Sequence, residues 1–232
     1  MEQENTIQCL GFIMDGNRRS AKEHGQETYE GHKQGADTFT NIVKAVRDKH
    51  IPHAVFFAFS TENWDRSEAE VSYLMDLFQL VLDDAQQQLN DDSERKIRLR
   101  IVGRREDFSP KLRERITALE AKSEECVDAQ TTIWIALSYG GRAEIIAGVN
   151  QAIAAGEPVT EATFNQYLWT AQMPDPDIII RTSGEQRISN FMTWKSVYSE
   201  LFFTNTLWPA FSVAELDTVL AAYQDRQRRK GK

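Results

Sequence analysis

The strongest constraint in this sequence is a repeated alternation between apolar runs of strand length and longer segments whose apolar residues recur three and four positions apart. The runs at Cys9 to Met14, Ala54 to Ser60, Ile97 to Val102, Thr132 to Leu137, Asp177 to Arg181 and Leu201 to Thr204 read as strands. Several are nearly all apolar, as parallel strands buried on both faces are. Between them, Ala36, Phe39, Ile42, Val43 and Val46 mark one helix. Val71, Leu74, Phe78, Val81, Leu82 and Leu89 mark a second, unusually long one. Further helices are predicted over Pro110 to Glu124, Arg142 to Ala155, Glu161 to Ala171 and Val213 to Arg228, the first of them opened by a Ser-Pro cap. This order predicts an α/β fold with a mostly parallel six-stranded sheet flanked by helices and joined by right-handed crossovers. No repeat or Pro/Gly/Ser-rich linker breaks it, and 232 residues with 41% hydrophobic content suit a single domain over residues 1–232.

Charge narrows the function classes. A formal net charge of −8 argues against nucleic acid as a partner, because that binding rests on an extended basic surface. Against this background the local arginine groups stand out: Arg18-Arg19, Arg104-Arg105, Arg181, Arg187 and the tail from Arg226 to Lys230. Such groups suit small anionic ligands. No run reaches the ~18 uninterrupted apolar residues of a membrane span, so no transmembrane segment is expected. The two cysteines, Cys9 and Cys126, lie far apart with no ligand-spaced partner, which argues against a disulfide framework or zinc site and fits a reducing cytoplasm.

In parallel α/β sheets ligands sit beyond the carboxyl ends of strands, and there this sequence is polar. After the first strand comes Asp15-Gly16-Asn17-Arg18-Arg19, and after the second Thr61-Glu62-Asn63-Trp64-Asp65-Arg66. Ser138-Tyr139-Gly140-Gly141-Arg142 follows the fourth, and Arg181-Thr182-Ser183-Gly184-Glu185 the fifth. In the first of these loops the glycine permits a tight turn with amides facing an anion, the arginines hold its oxygens, and Asp15 suits Mg²⁺ bound with diphosphate oxygens. A helix cap with solvated arginines explains the same residues equally well. Arg181, Arg187 and Ser189 read either as a second diphosphate cradle or as a surface ion-pair network. Two anion sites beside a carboxylate suggest a reaction between two phosphorylated substrates.

The motifs Asp15-Gly16-Asn17, Gly31-His32-Lys33, Ala58-Phe59-Ser60-Thr61-Glu62-Asn63-Trp64, Tyr139-Gly140-Gly141-Arg142, Arg181-Thr182-Ser183-Gly184-Glu185, Arg187-Ile188-Ser189-Asn190-Phe191 and Leu207-Trp208-Pro209 resemble those of the cis-prenyltransferases, the undecaprenyl diphosphate synthase family, in that family's order. The resemblance runs over roughly residues 10 to 231. It implies a transferase that extends an allylic diphosphate, such as farnesyl diphosphate, with isopentenyl diphosphate, creating a cis double bond and releasing diphosphate. By resemblance, Asp15 binds Mg²⁺ and assists departure of the allylic diphosphate, with Glu200 as a further magnesium carboxylate. Gly16, Asn17, Arg18, Arg19, Trp64 and Arg66 fall to substrate binding, Arg181, Arg187 and Ser189 hold isopentenyl diphosphate, and His32, Ser60 and Asn63 form a proton relay. The resemblance also implies a homodimer, a tail (Arg229-Lys230-Gly231) that reaches a diphosphate site, and peripheral membrane contact for product release. It implies as well a tunnel along the long helix, expected to be blind and to set product length.

This chain departs from the family pattern near the first phosphate site, with Ser20 where an aromatic residue is usual and Thr28 where an arginine is usual. Leu137 and Ser138 replace smaller and amide-bearing residues before Tyr139. Three readings stay open: a chain-elongating cis-prenyltransferase, a specialised homologue making short, irregular or cyclised isoprenoids, and a noncatalytic partner subunit. Retention of Asp15, Arg181, Arg187 and Glu200 speaks against the third.

Overall fold

The computed structural model describes residues 6–90 and 97–226. The tail Arg229-Lys230-Gly231 and most of the polar stretch after the long helix lie outside the described residues. Six strands, β1 (Cys9–Ile13), β2 (His53–Ser60), β3 (Ile97–Val102), β4 (Thr131–Tyr139), β5 (Ile178–Arg181) and β6 (Glu200–Phe203), form one sheet of order β3-β4-β2-β1-β5-β6. Every adjacent pair is parallel. The helices are α1 (Asn17–Glu23), α2 (Thr28–Asp48), α3 (Glu68–Asn90), α4 (Pro110–Glu124), α5 (Gly141–Ala155), α6 (Glu161–Phe164) and α7 (Val213–Gln224).

Side chains alternate across the sheet. Leu10, Phe12, Ala54, Phe56, Ile133 and Ile178 share one core with Ile42 and Val46 of α2, Leu74 and Leu82 of α3, Ile116 of α4 and Leu216 of α7. Phe12 stacks on Phe56 at a ring separation of 4.7 Å within it. Cys9, Val55, Trp134 and Ile179 face the other way, where Met173, Phe191 and Met192 cover them from irregular segments. Here the sequence expectation needs correction. The helix predicted over Glu161 to Ala171 is one capped turn, α6, followed by a 3₁₀ turn at Asn165–Tyr167, because the chain must bend to bring Phe164 and Leu168 against Gly148 of α5.

The long helix is real: α3 runs from Glu68 to Asn90 against the sheet and α4. The sheet order reverses at β1, which has β2 on one side and β5 on the other, so a crevice opens at the carboxyl ends of these central strands. The β2–β4 register shifts between Phe57 and Ser60, an irregularity that re-aims the end of β2 at that crevice.

Candidate active site

Asp15 leaves β1 at the centre of the crevice. Its main-chain carbonyl accepts from the Thr182 hydroxyl (2.6 Å) and the Trp208 amide (3.0 Å), which ties the first loop to the end of β5 and to the segment before α7. Gly16 has φ +114°, where a Cβ would also touch Leu207 at 3.0 Å, so only glycine makes this turn freely. α1 then docks closely on α2: a Cβ at Gly31 would stand 2.1 Å from the Asn17 carbonyl oxygen, and one at Gly35 2.2 Å from Asn17 Oδ1. These two glycines let the first loop reach His32.

Arg181 is the hub of the second cradle. It is 4% exposed, and its Nη2 donates to Asp15 Oδ2 at 2.8 Å, while Nη1 donates to both the Arg187 carbonyl and Ser189 Oγ at 2.6 Å. Arg187 itself is exposed and pairs with Glu185. Arg19 bridges the two loops, donating to Ser183 Oγ and lying 3.8 Å from Asp15 and 3.9 Å from Glu185. The loop at 183–192 is strained, with positive φ at Ser183, Ser189, Asn190 and Met192, as segments held for function commonly are.

The polar cleft is lined by Asp15, His32, Ser60, Asn63, Arg66 and Ser189, together with Glu62, Arg142 and Asn190. A smaller recess beside it takes in Gly16, Asn17, Arg18 and Arg19. Asn63 Oδ1 accepts from the Ser60 amide at 3.0 Å, so this asparagine also caps the 3₁₀ turn Thr61–Asp65. His32 Nε2 is buried without a hydrogen-bond partner among the described residues, 3.9 Å from Glu70 Oε1. Burial first, and then the Arg66 and Arg18 charges, push the His32 pKa down to about 4 against an upward pull from Glu70, so the ring is neutral at physiological pH.

That shift has a consequence for stability. As pH falls below about 6.5 the unfolded chain protonates this histidine while the folded chain does so only near 4, so the fold loses stability through that window, by at most about 3 kcal/mol. His32→Gln is expected to flatten the fall in Tm between pH 6.5 and 4 relative to the unmodified protein in matched thermal melts.

The fold brings here four groups to which the sequence had assigned no individual role: Glu70, and Glu62, Arg142 and Asn190 from the quoted motifs. Glu70 accepts from Arg66 Nη1 at 2.8 Å and lies 3.9 Å from Arg18, an i,i+4 pairing that was legible in the sequence. Asn190 donates to Glu62 at 2.8 Å and accepts from the Arg142 amide at 2.9 Å, joining three loops. Burial pushes the Glu62 carboxyl up, but hydrogen bonds from its own amide, Asn190, Ser60 and Thr61 outweigh that and leave it below the usual range.

Two expected site residues sit elsewhere. Trp64 lines neither the cleft nor the apolar cavity below it; its ring packs on Phe59 and Phe108, with centroids 5.0 and 5.9 Å away. Glu200 begins β6, level with Ile178 at the amino end of β5, whereas Asp15 lies beyond the carboxyl end of β1. Within one chain the fold does not bring Glu200 to Asp15; it pairs with Arg226, whose guanidinium lies 4.2 Å over the Phe202 ring. Of the departures, Thr28 opens α2 in solvent and Ser20 is 3% exposed on the buried face of α1.

Met14, Asn17, His32, Ala58 and Leu74 line both the cleft and an apolar cavity that continues between α2, α3 and the sheet past Phe39, Phe78 and Leu137. Phe39, Val81, Leu82 and Ile135 separate that cavity from a second one, whose lining includes Lys44, Arg47, Asp84 and Gln88. The expected blind tunnel is therefore two compartments in series with polar side chains along the farther one.

An arginine-rich cleft that opens onto an apolar passage fits an amphipathic anion with a hydrocarbon tail, and the likeness to known proteins agrees. Residues 13–231 match the model of the family described as putative undecaprenyl diphosphate synthase. The isoprenyl transferase of Chromobacterium violaceum is 44% identical over 96% of this chain and 87% of its own length, and that of Thermotoga maritima 42% identical over 97% and 96%. Lavandulyl diphosphate synthase from Lavandula x intermedia, solved in complex with dimethylallyl diphosphate, superposes with a TM-score of 0.92 at 31% identity, covering 99% of this chain and all of that one. A probable undecaprenyl diphosphate synthase from Campylobacter jejuni does so with a TM-score of 0.82 at 30% identity, over 98% of this chain and all of its own. With cleft, passage and sequence in agreement along nearly its whole length, the chain belongs to the undecaprenyl diphosphate synthase family of cis-prenyltransferases.

Proposed function

We propose that this protein condenses isopentenyl diphosphate with an allylic diphosphate to give a cis-prenyl diphosphate. The observation that carries this reading is the continuity of the arginine-lined cleft with the apolar passage through Met14, His32 and Leu74. The allylic diphosphate lies in the first-loop recess against Arg18, Arg19 and Arg66, its hydrocarbon pointing down between α2 and α3. Arg181, Arg187 and Ser189 hold the diphosphate of isopentenyl diphosphate beside it, so the homoallylic double bond faces the allylic carbon. The new carbon–carbon bond forms as the allylic diphosphate departs, and Arg18 and Arg19 stabilise the charge growing on it. The proton lost from isopentenyl diphosphate leaves through the polar wall of Ser60, Asn63 and neutral His32.

The donor set suits Mg²⁺. Arg181 and Arg19 face Asp15 Oδ2, whereas Oδ1 has no partner among the described residues, and Mg²⁺ takes one or two carboxylates plus diphosphate oxygens and water. When bound there it neutralises diphosphate charge. Glu200 can serve such a site only across a subunit interface. A homodimer fits the exposed Val197, Tyr198, Leu201 and Phe203 on and beside β6, an edge strand. Among the described residues no helix is long and apolar enough to cross a membrane.

The test is to incubate purified protein with Mg²⁺, radiolabelled isopentenyl diphosphate and allylic primers of graded length, and to size the products. Cis-configured elongation products support the reading, irregular or cyclised ones favour the specialised homologue, and no incorporation with any primer refutes both. Leu74→Trp and Phe78→Trp are expected to shorten the products by filling the first compartment, at an overpacking cost of about 1 to 3 kcal/mol. Val81→Trp, at the junction, is expected to stop only chains that pass it. Unchanged product sizes in all three variants would show that α3 serves packing alone.

A further inference from the structure

Ser138 is fully buried and holds φ at +49°, a backbone region that favours glycine or asparagine. Its hydroxyl accepts from Trp64 Nε1 at 2.8 Å and donates to Asp107 Oδ2. An indole N–H only donates and a carboxylate only accepts, so the atom between them must do both, as a hydroxyl does. The two ends of this chain are fixed independently. Asp107 closes the 3₁₀ turn Arg105–Asp107 after β3, and the Arg104 amide donates to the Ser138 carbonyl at 3.0 Å. Trp64 stands on the 3₁₀ turn Thr61–Asp65, wedged between Phe59 and Phe108.

Within the 3₁₀ turn Thr61–Asp65, Glu62 and Asn63 line the cleft while Trp64 lies off its wall. Ser60, at the end of β2, donates its amide to Asn63 Oδ1 at 3.0 Å, and Arg66, just past the turn, donates its amide to the Asn63 carbonyl at 3.2 Å. Both line the cleft as well, so whatever sets the rotation of this turn aims Asn63 and bears on the two cleft residues bonded to it.

We propose that Ser138 and Asp107 are positioning residues that act through Trp64 to set the rotation of the turn that carries Asn63 and is flanked by Ser60 and Arg66. The inference rests on the activity proposed above, but the placement of the turn can be read without it. Neither residue touches the cleft. Losing the hydroxyl leaves a half-buried indole N–H and a carboxylate oxygen without partners, and the turn gives up its anchor.

Ser138→Ala, Asp107→Ala, Asp107→Asn and Trp64→Phe test this, the last keeping an aromatic ring between Phe59 and Phe108 while removing the N–H and part of the indole. Ser138→Ala, Asp107→Ala and Trp64→Phe are each expected to lower kcat about tenfold, the equivalent of one buried unpaired polar group, with KM for isopentenyl diphosphate within about twofold. Asp107→Asn, which still presents an acceptor oxygen, is expected to hold kcat within about twofold. Adding Ser138→Ala to Trp64→Phe is expected to cost nothing further. In ¹H–¹⁵N spectra Ser138→Ala moves the Trp64 indole resonance together with the backbone amides of Asn63 and Arg66. An indole shift that leaves those amides and kcat in place would overturn the proposal, as would a full second loss in the Trp64→Phe background. Should Ser138→Ala not fold, Asp107→Ala, which keeps the Trp64 indole, carries both readouts. Inactivity of the unmodified protein with every primer refutes the proposed reaction, while unmoved Asn63 and Arg66 amides refute this inference.

Discussion

Asp15→Asn is expected to lower kcat by on the order of 10³-fold while the protein stays folded, with a stability change within about 1 kcal/mol. The asparagine oxygen still accepts from Arg181 Nη2, so the buried guanidinium keeps a partner, but the negative charge that suits a magnesium–diphosphate complex is gone. Asp15→Ala is expected to behave differently. It removes the acceptor as well, leaves one end of a 4%-exposed arginine unpaired, and adds a destabilisation of up to about 3 to 5 kcal/mol. A reading of Asp15 as a simple surface metal ligand would predict no such stability loss for alanine. Initial rates with labelled isopentenyl diphosphate, paired with thermal melts of both variants, separate the two contributions. Turnover close to that of the unmodified protein in Asp15→Asn at saturating Mg²⁺ would remove Asp15 from the reaction.

The second large effect is a contrast between two arginines of one motif. Arg187→Ala is expected to raise KM for isopentenyl diphosphate by about tenfold or more, the loss of a charge-assisted contact, with little change in Tm, because the side chain is exposed and its Glu185 pairing is a surface one. Arg181→Ala is expected to lower kcat and raise KM together, by on the order of 10²-fold or more in kcat/KM, and to destabilise the fold. Its guanidinium holds Asp15 in one cradle and the Arg187 carbonyl and Ser189 hydroxyl in the other, so its loss disturbs both substrates' sites at once. Full kinetics in both substrates measure the split. Matching profiles for the two variants would mean that Arg181 does not join the cradles.

Much of this protein was determined by the sequence alone. The apolar runs set the six strands to within a residue or two, most simply at β1 and β5, where a parallel strand buried on both faces admits few polar residues and stops where they begin. The helical spacing located α2, α3 and α4 for the same reason: the stripe that packs on the sheet must be apolar. The polar loops after β1, β2, β4 and β5 also had to face one cleft once the strands were parallel, since chain direction alone puts those loops at one end of the sheet.

Tertiary structure decided what depends on contacts between distant segments. Nothing in the local sequence at Glu161 to Ala171 showed that Phe164 and Leu168 would both pack on Gly148 of α5, so the bend at Asn165 was invisible. The aromatic character of Trp64 was plain, but which way a 3₁₀ turn presents it depends on Ser138 and Asp107, dozens of residues away. The family resemblance implied Glu200 as a further magnesium carboxylate beside Asp15. Strand register places it at the opposite end of the sheet, because residue type says what a side chain can do and only the fold says what stands within its reach.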